Sequence, residues 1–96
     1  MRKYELMSIF KPNLDAEEVD KLIEKINSII TEFGGKVESV DKAGRKKLAY
    51  EIGGYTDGFV VNQVVSVPED KVIELKRQLK LNDSIIRTML TIKEVA

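Results

Sequence analysis

Two runs of the chain, Tyr4–Phe10 and Phe59–Val67, are apolar on both alternating parities, and a segment of helical periodicity follows each of them. Tyr4, Leu6, Ser8 and Phe10 share one parity, Met7 and Ile9 the other. A strand with apolar side chains on both faces belongs in the middle of a sheet rather than at its margin. Behind the first run, Lys11-Pro12-Asn13 stops the strand. Asp15 then stands three residues before Glu18, the spacing of a capping box, and Leu14 and Val19 are spaced as a hydrophobic staple. Val19, Leu22, Ile23, Ile26, Ile29, Ile30 and Phe33 form one apolar stripe, which Gly34-Gly35 terminates. Behind the second run, Pro68 suits a first helical turn, and Glu69 and Asp70 suit the positive end of its dipole. Val72, Ile73, Leu75 and Leu79 supply that helix's face, and Asn82-Asp83 ends it.

The remaining segments are extended. Residues 36–52 alternate imperfectly: Val37 and Val40 differ by an odd number, so a regular pleat sends them to opposite faces. A bulge before Leu48, with Gly44 as the candidate, repairs the register. Gly53-Gly54-Tyr55-Thr56-Asp57-Gly58 reads as a hairpin loop, and Ile85–Ile92 as a last strand with Arg87 interrupting one face. The order is strand, helix, strand, strand, helix, strand. Right-handed crossovers turn it into an α+β, ferredoxin-like βαββαβ fold: a four-stranded antiparallel sheet with two helices packed on one face. The first and third strands are then central, the second and fourth are edges, and residues 1–96 make one domain.

Absences narrow the chemistry. The chain has no cysteine and no histidine, which removes disulfides, thiolate zinc sites, thiol nucleophiles and a Ser-His-Asp triad. The opening Met1-Arg2-Lys3-Tyr4-Glu5 is too charged, and the apolar stretch behind it too short, for a signal peptide or membrane span, so the expectation is cytosolic. Asp15, Glu17, Glu18 and Asp20 lack the alternation and central glycine of a calcium loop; a helix start accounts for them. Gly53-Gly54 precedes neither a helix nor a Gly-Lys-Ser/Thr signature, so it is no phosphate cradle. An acylphosphatase-like site needs glycine and arginine after the first strand, where this chain has Lys11-Pro12-Asn13-Leu14-Asp15. No catalytic residue, metal or cofactor is expected. An RNA-recognition-motif reading also weakens, because in "DGFVVNQV" the second stacking position holds Val61. Tyr4 and Phe59 are expected in the core.

Charge distribution survives these tests. Sixteen basic residues balance sixteen acidic ones, yet residues 42–47 hold Lys42, Arg45, Lys46 and Lys47 with no acid. Arg2 and Lys3 begin one central strand; Arg87 and Lys93 lie on the far edge. Such asymmetry suits a polyanion, although lysines on an edge strand also block self-pairing.

The stretches "MRKYELMSIFKPNLD", Gly34-Gly35-Lys36-Val37, "VDKAGRKKLAYEI" and Asp57-Gly58-Phe59 resemble the family of ribosomal protein six of the bacterial small subunit, from Met1 to about Lys93. Arg45 through Tyr50 is the most specific element. The resemblance implies a non-enzymatic cytoplasmic component of the ribosome. It implies binding to ribosomal RNA of the central domain as a heterodimer with ribosomal protein eighteen. It carries an RNA role onto Arg2, Arg45, Lys46, Lys47 and Arg87, which charge distribution extends to Lys3 and Lys93. It places the partner protein on the second-strand edge: Val40, Lys42, Ala43, Lys46, Leu48 and Tyr50. Departures from the family pattern are Ala43 for a large apolar residue, Glu51 for proline, Gly53-Gly54 where basic residues are frequent, and a chain ending at Ala96 without a longer tail. The alternative is a ferredoxin-like regulatory or small-ligand-binding domain that oligomerises through its sheet; an enclosed apolar pocket with converging polar groups would mark it.

Overall fold

The structure is a computed structural model that describes residues 2–93. Strand β1 (Arg2–Phe10) leads into helix α1 (Ala16–Glu32), and β2 (Lys36–Ile52) pairs with β3 (Tyr55–Val67). A 3-10 turn (Glu69–Lys71) runs into α2 (Val72–Lys80), and β4 (Ile85–Ile92) completes the sheet. The strand order is β2-β3-β1-β4, all neighbours antiparallel, with the two double-sided strands at the centre as expected. The tail past Lys93, including Ala96, lies outside the described residues.

One face of the sheet carries the core. Tyr4, Leu6 and Phe10 of β1 and Val61, Val65 and Val67 of β3 are buried with Val19, Ile23, Ile26 and Ile30 of α1 and Leu75 and Leu79 of α2. Phe59 packs against the same cluster, so Tyr4 and Phe59 are core residues, not base-stacking platforms. Two polar residues share this interior. Ser8 is fully buried, and Gln63, 1% exposed, donates from Nε2 to Asn27 Oδ1 of α1 at 2.7 Å.

The capping box forms as spaced. The Glu18 amide donates to Asp15 Oδ1 at 2.8 Å, and the Asp15 amide donates to Glu18 Oε1 at 3.3 Å. Asp15→Ala removes the acceptor of the Glu18 amide and leaves that donor unpaired. It should cost about 1 kcal/mol, a fall in thermal midpoint of about 4–8 °C for a domain of this size, readable by circular dichroism.

Strand β2 departs from a regular ladder in three places, one of them expected. Val37 pairs with Val65 and Ser39 with Val64, so Glu38 is the extra residue that brings Val37 and Val40 to one face. Lys42 pairs with Val61 and Gly44 with Val60, so a second extra residue, Ala43, lies where a bulge was expected; Gly44 takes φ +86° there. The register breaks again between Lys47↔Asp57 and Ile52↔Tyr55, where Leu48–Glu51 face Thr56 alone. The turn is only Gly53-Gly54, with φ +56° and +86°, the signs of a type I′ turn that glycine adopts freely. β3 therefore starts at Tyr55 rather than Phe59, because a tight turn lets Tyr55-Thr56-Asp57-Gly58 pair instead of looping. The second helix also opens differently: Pro68 precedes a 3-10 turn, and the α-helix starts at Val72.

Candidate nucleic-acid interface

Each strand sends alternate side chains to opposite faces, and directly paired residues share a face. The register therefore sorts the candidate residues. Tyr4, Leu6 and Phe10 mark the helix-covered face of β1, so Arg2 points to that side and Lys3 to the uncovered one. On β2, Arg45 pairs with Phe59 and Lys47 with Asp57 on the helix side, while Lys46 pairs with Gly58 on the uncovered side. Arg87 pairs with Ile9 and also lies uncovered. The basic cluster thus splits between two faces of one edge strand.

Charge partners sort the same residues a second way. Arg2 pairs with Glu69, Lys3 with Glu38 at 3.4 Å, and Lys93 with Glu5 at 3.9 Å. Arg45 is held by Asp57 at 2.7–2.8 Å through two nitrogens, and Lys42 pairs with Asp20 of α1. Lys46, Lys47 and Arg87 have no carboxylate within 4.0 Å among the described residues. A cation with no internal counter-ion keeps its full attraction for phosphate; one already paired must exchange partners.

Arg87 instead donates from Nη1 to the Tyr50 hydroxyl at 2.8 Å. The two residues come from opposite edges of the sheet. The hairpin end, released from regular pairing beyond Lys47, reaches over the uncovered face to β4. This bond joins a residue assigned to RNA with one assigned to the partner protein, a link that sequence spacing did not signal.

The other end of that face holds a row across all four strands: Lys36 beside Ser66, Ser66 beside Lys3, and Lys93 donating its amide to the Lys3 carbonyl at 3.0 Å. Lys36 was not grouped with Lys3 and Lys93 in the sequence reading. Counting cross-strand pairs from the β3 end would have found it. Between the two basic ends lies a shallow hollow of about 520 Å³, lined by Glu5, Met7, Asp41, Asn62, Val64 and Met89 among others. Its Glu5 and Asp41 carboxylates repel phosphate. Polyanion contact is therefore favoured at the ends of this face rather than its middle.

On the β2 edge, Val40 is 40% exposed and Tyr50 63%, whereas Ala43 and Leu48 are half-buried. The bulges at Glu38 and Ala43 leave Ser39–Lys42 as the regular run between them. Among the described residues no group of three or more carboxylates is placed to hold a metal ion, and no helix is long and apolar enough to cross a membrane.

Comparison with known proteins gives a consistent answer. The profile of the family described as "Ribosomal protein S6" matches residues 3–92. "Small ribosomal subunit protein bS6" of Shouchella clausii is 41% identical over 91 residues, covering 95% of this chain and 96% of that protein. The protein of the same name from Mycobacterium bovis is 43% identical over 88 residues, 92% of each chain. The crystal structure of 30S ribosomal protein S6 from Thermotoga maritima superposes with a TM-score of 0.89 at 31% identity, covering 96% of this chain and 87% of that one. Fold, length and sequence agree, and the chain belongs to the ribosomal protein S6 family.

Proposed function

We propose that this protein is a structural, non-enzymatic component of the small ribosomal subunit in the cytoplasm, and that it binds ribosomal RNA of the central domain together with ribosomal protein eighteen. The membership of the chain supports the first part: its relatives are named as proteins of the small subunit. The observation that carries the RNA reading is the set of cations with no carboxylate partner among the described residues, Lys46, Lys47 and Arg87, near one end of the sheet. Their work is to neutralise phosphates and fix orientation, while the shape of the folded RNA supplies recognition. Arg45 joins them by trading Asp57 for phosphate. Arg2, Lys3 and Lys93 contribute less, since each begins in an ion pair.

Ribosomal protein eighteen is assigned the β2 edge, with Val40, Lys42, Ala43, Lys46, Leu48 and Tyr50 in contact. A partner strand can add there only along the short regular run Ser39–Lys42; the rest of the contact is made by side chains. Co-sedimentation tests the assignment. The purified protein should pellet with small subunits lacking it at about 0.15 M salt and be released as salt rises toward about 1 M, where charge contacts are screened within a few ångströms. Failure to pellet at low salt, or retention indifferent to salt, would overturn it.

A further inference from the structure

The two edges of the sheet are not alike. β2 is bulged at Glu38 and Ala43, broken past Lys47 and lined by lysines, all of which discourage a visiting strand. β4 is regular from Arg87 to Ile92, and its sequence IIRTMLTI has neither lysine nor proline. The Lys93 amide donates inward to Lys3, so Arg87, Met89 and Thr91 turn their backbone groups to β1. Thr88, Leu90 and Ile92 then present N–H and C=O groups outward, the ladder an added strand needs.

Alongside that ladder runs a trough of about 540 Å³ between α2 and β4. Apolar Leu79, Ile85 and Leu90 line it together with the cations Lys76, Lys80 and Arg87, and no carboxylate does. A second hollow of about 410 Å³ shares Lys76 and Leu90 and carries the channel on toward Ile73 and Ile92; its one carboxylate, Glu69, is paired with Arg2. Lys76 and Lys80 stand one helical turn apart, each without a carboxylate within 4.0 Å among the described residues. The nearby Glu74 is taken up by its own helix. Arg77 pairs with both of its carboxylate oxygens at 2.6 and 3.0 Å and Gln78 donates to it, so its charge is already matched within the helix.

We propose that the channel between α2 and β4 is a docking site for an extended acidic segment of a partner protein, which adds as a fifth strand beside β4. The outward backbone groups select an extended chain, the lysines of α2 select carboxylates among its helix-facing side chains, and the alternate side chains fall on the open face beside Met89, where apolar ones fit. A second copy of this chain fits poorly, because β4 paired with β4 brings two lysine-lined helices together on one face. The site shares only Arg87 with the residues assigned to phosphate, and its backbone ladder, Lys76 and Lys80 do not depend on the RNA reading.

The probe is a fluorescent peptide of about eight residues alternating glutamate and valine, matched to the eight residues of β4, with a lysine-valine counterpart. The full chain should bind the acidic peptide at least about tenfold more tightly than the basic one. Hydrogen exchange at the Thr88, Leu90 and Ile92 amides should slow on binding. The exposed pair K76E/K80E should reverse the order of the two peptides. Thr88→Pro removes one outward donor and should weaken both; should it fail to fold, the lysine reversal still decides. Equal affinity for the two peptides, protection of β2 amides instead, or protection that grows with protein concentration in the absence of peptide would each overturn the proposal.

Discussion

Phe10→Ala should lower the thermal midpoint of this protein by roughly 12–40 °C, the largest effect expected of a single substitution. Phe10 has no exposed surface and ends β1, paired with Phe59 on one side and Ile85 on the other. Truncating a buried phenylalanine costs about 3–5 kcal/mol, the sum of lost transfer free energy and the cavity left behind. A domain of this size has a total stability of about 5–15 kcal/mol, and each kcal/mol moves its midpoint by about 4–8 °C. Phe10→Leu keeps most of the apolar volume and should lose less than half as much. A shift below about 5 °C for the alanine variant would show that the β1–β3–β4 junction is not closed around this ring.

The second large effect is functional. Replacing Arg45, Lys46 and Lys47 together with serine should leave the fold intact, because all three are exposed. It should reduce the salt dependence of ternary assembly with RNA and ribosomal protein eighteen. Each phosphate contact contributes about 0.7–0.9 to the slope of log affinity against log salt, so losing three should lower the slope by roughly two to three units. The single variants divide the loss further. Lys46→Ser acts on the uncovered face and Lys47→Ser on the helix side, so RNA lying against one face responds strongly to one and weakly to the other. Arg45→Ser should matter least at low salt, since Asp57 already occupies its guanidinium. An unchanged slope and affinity for the triple variant would remove this cluster from the RNA interface.

Much of the architecture was legible because its determinants are local. The capping box needs two residues at one spacing, the α1 stripe repeats over several turns, and a double-sided apolar strand declares itself central. What escaped was register. β2 has few apolar residues to mark its faces, so its pairing is dictated by β3 and by the turn. The parity of Val37 and Val40 calls for a bulge, but only their pairing with β3 puts it at Glu38 rather than at Gly44. The same dependence hid the splitting of Arg45, Lys46 and Lys47 between faces, the alignment of Lys36 with Lys3 and Lys93, and the Tyr50–Arg87 bond. Each is fixed by counting pairs across strands rather than along one. The identities of the basic residues could be read early; their directions could not.

The Gln63–Asn27 bond bears on how the helix finds its seat. The core stripe of α1 is nearly all isoleucine: Ile23, Ile26 and Ile30 are alike in volume and spaced by about a turn. Sliding such a helix one turn along the sheet, about 5.4 Å, would exchange one isoleucine for another at little loss of apolar contact. A directional bond is not so forgiving. A shift of three or four residues would set Ile23 or Ile30, or the differently shaped Glu24 or Thr31, where Asn27 stands, and an amide left unpaired in the interior costs about 1–3 kcal/mol. One polar contact at 2.7 Å thus breaks the degeneracy of an otherwise repetitive surface, and chooses a single setting of helix on sheet.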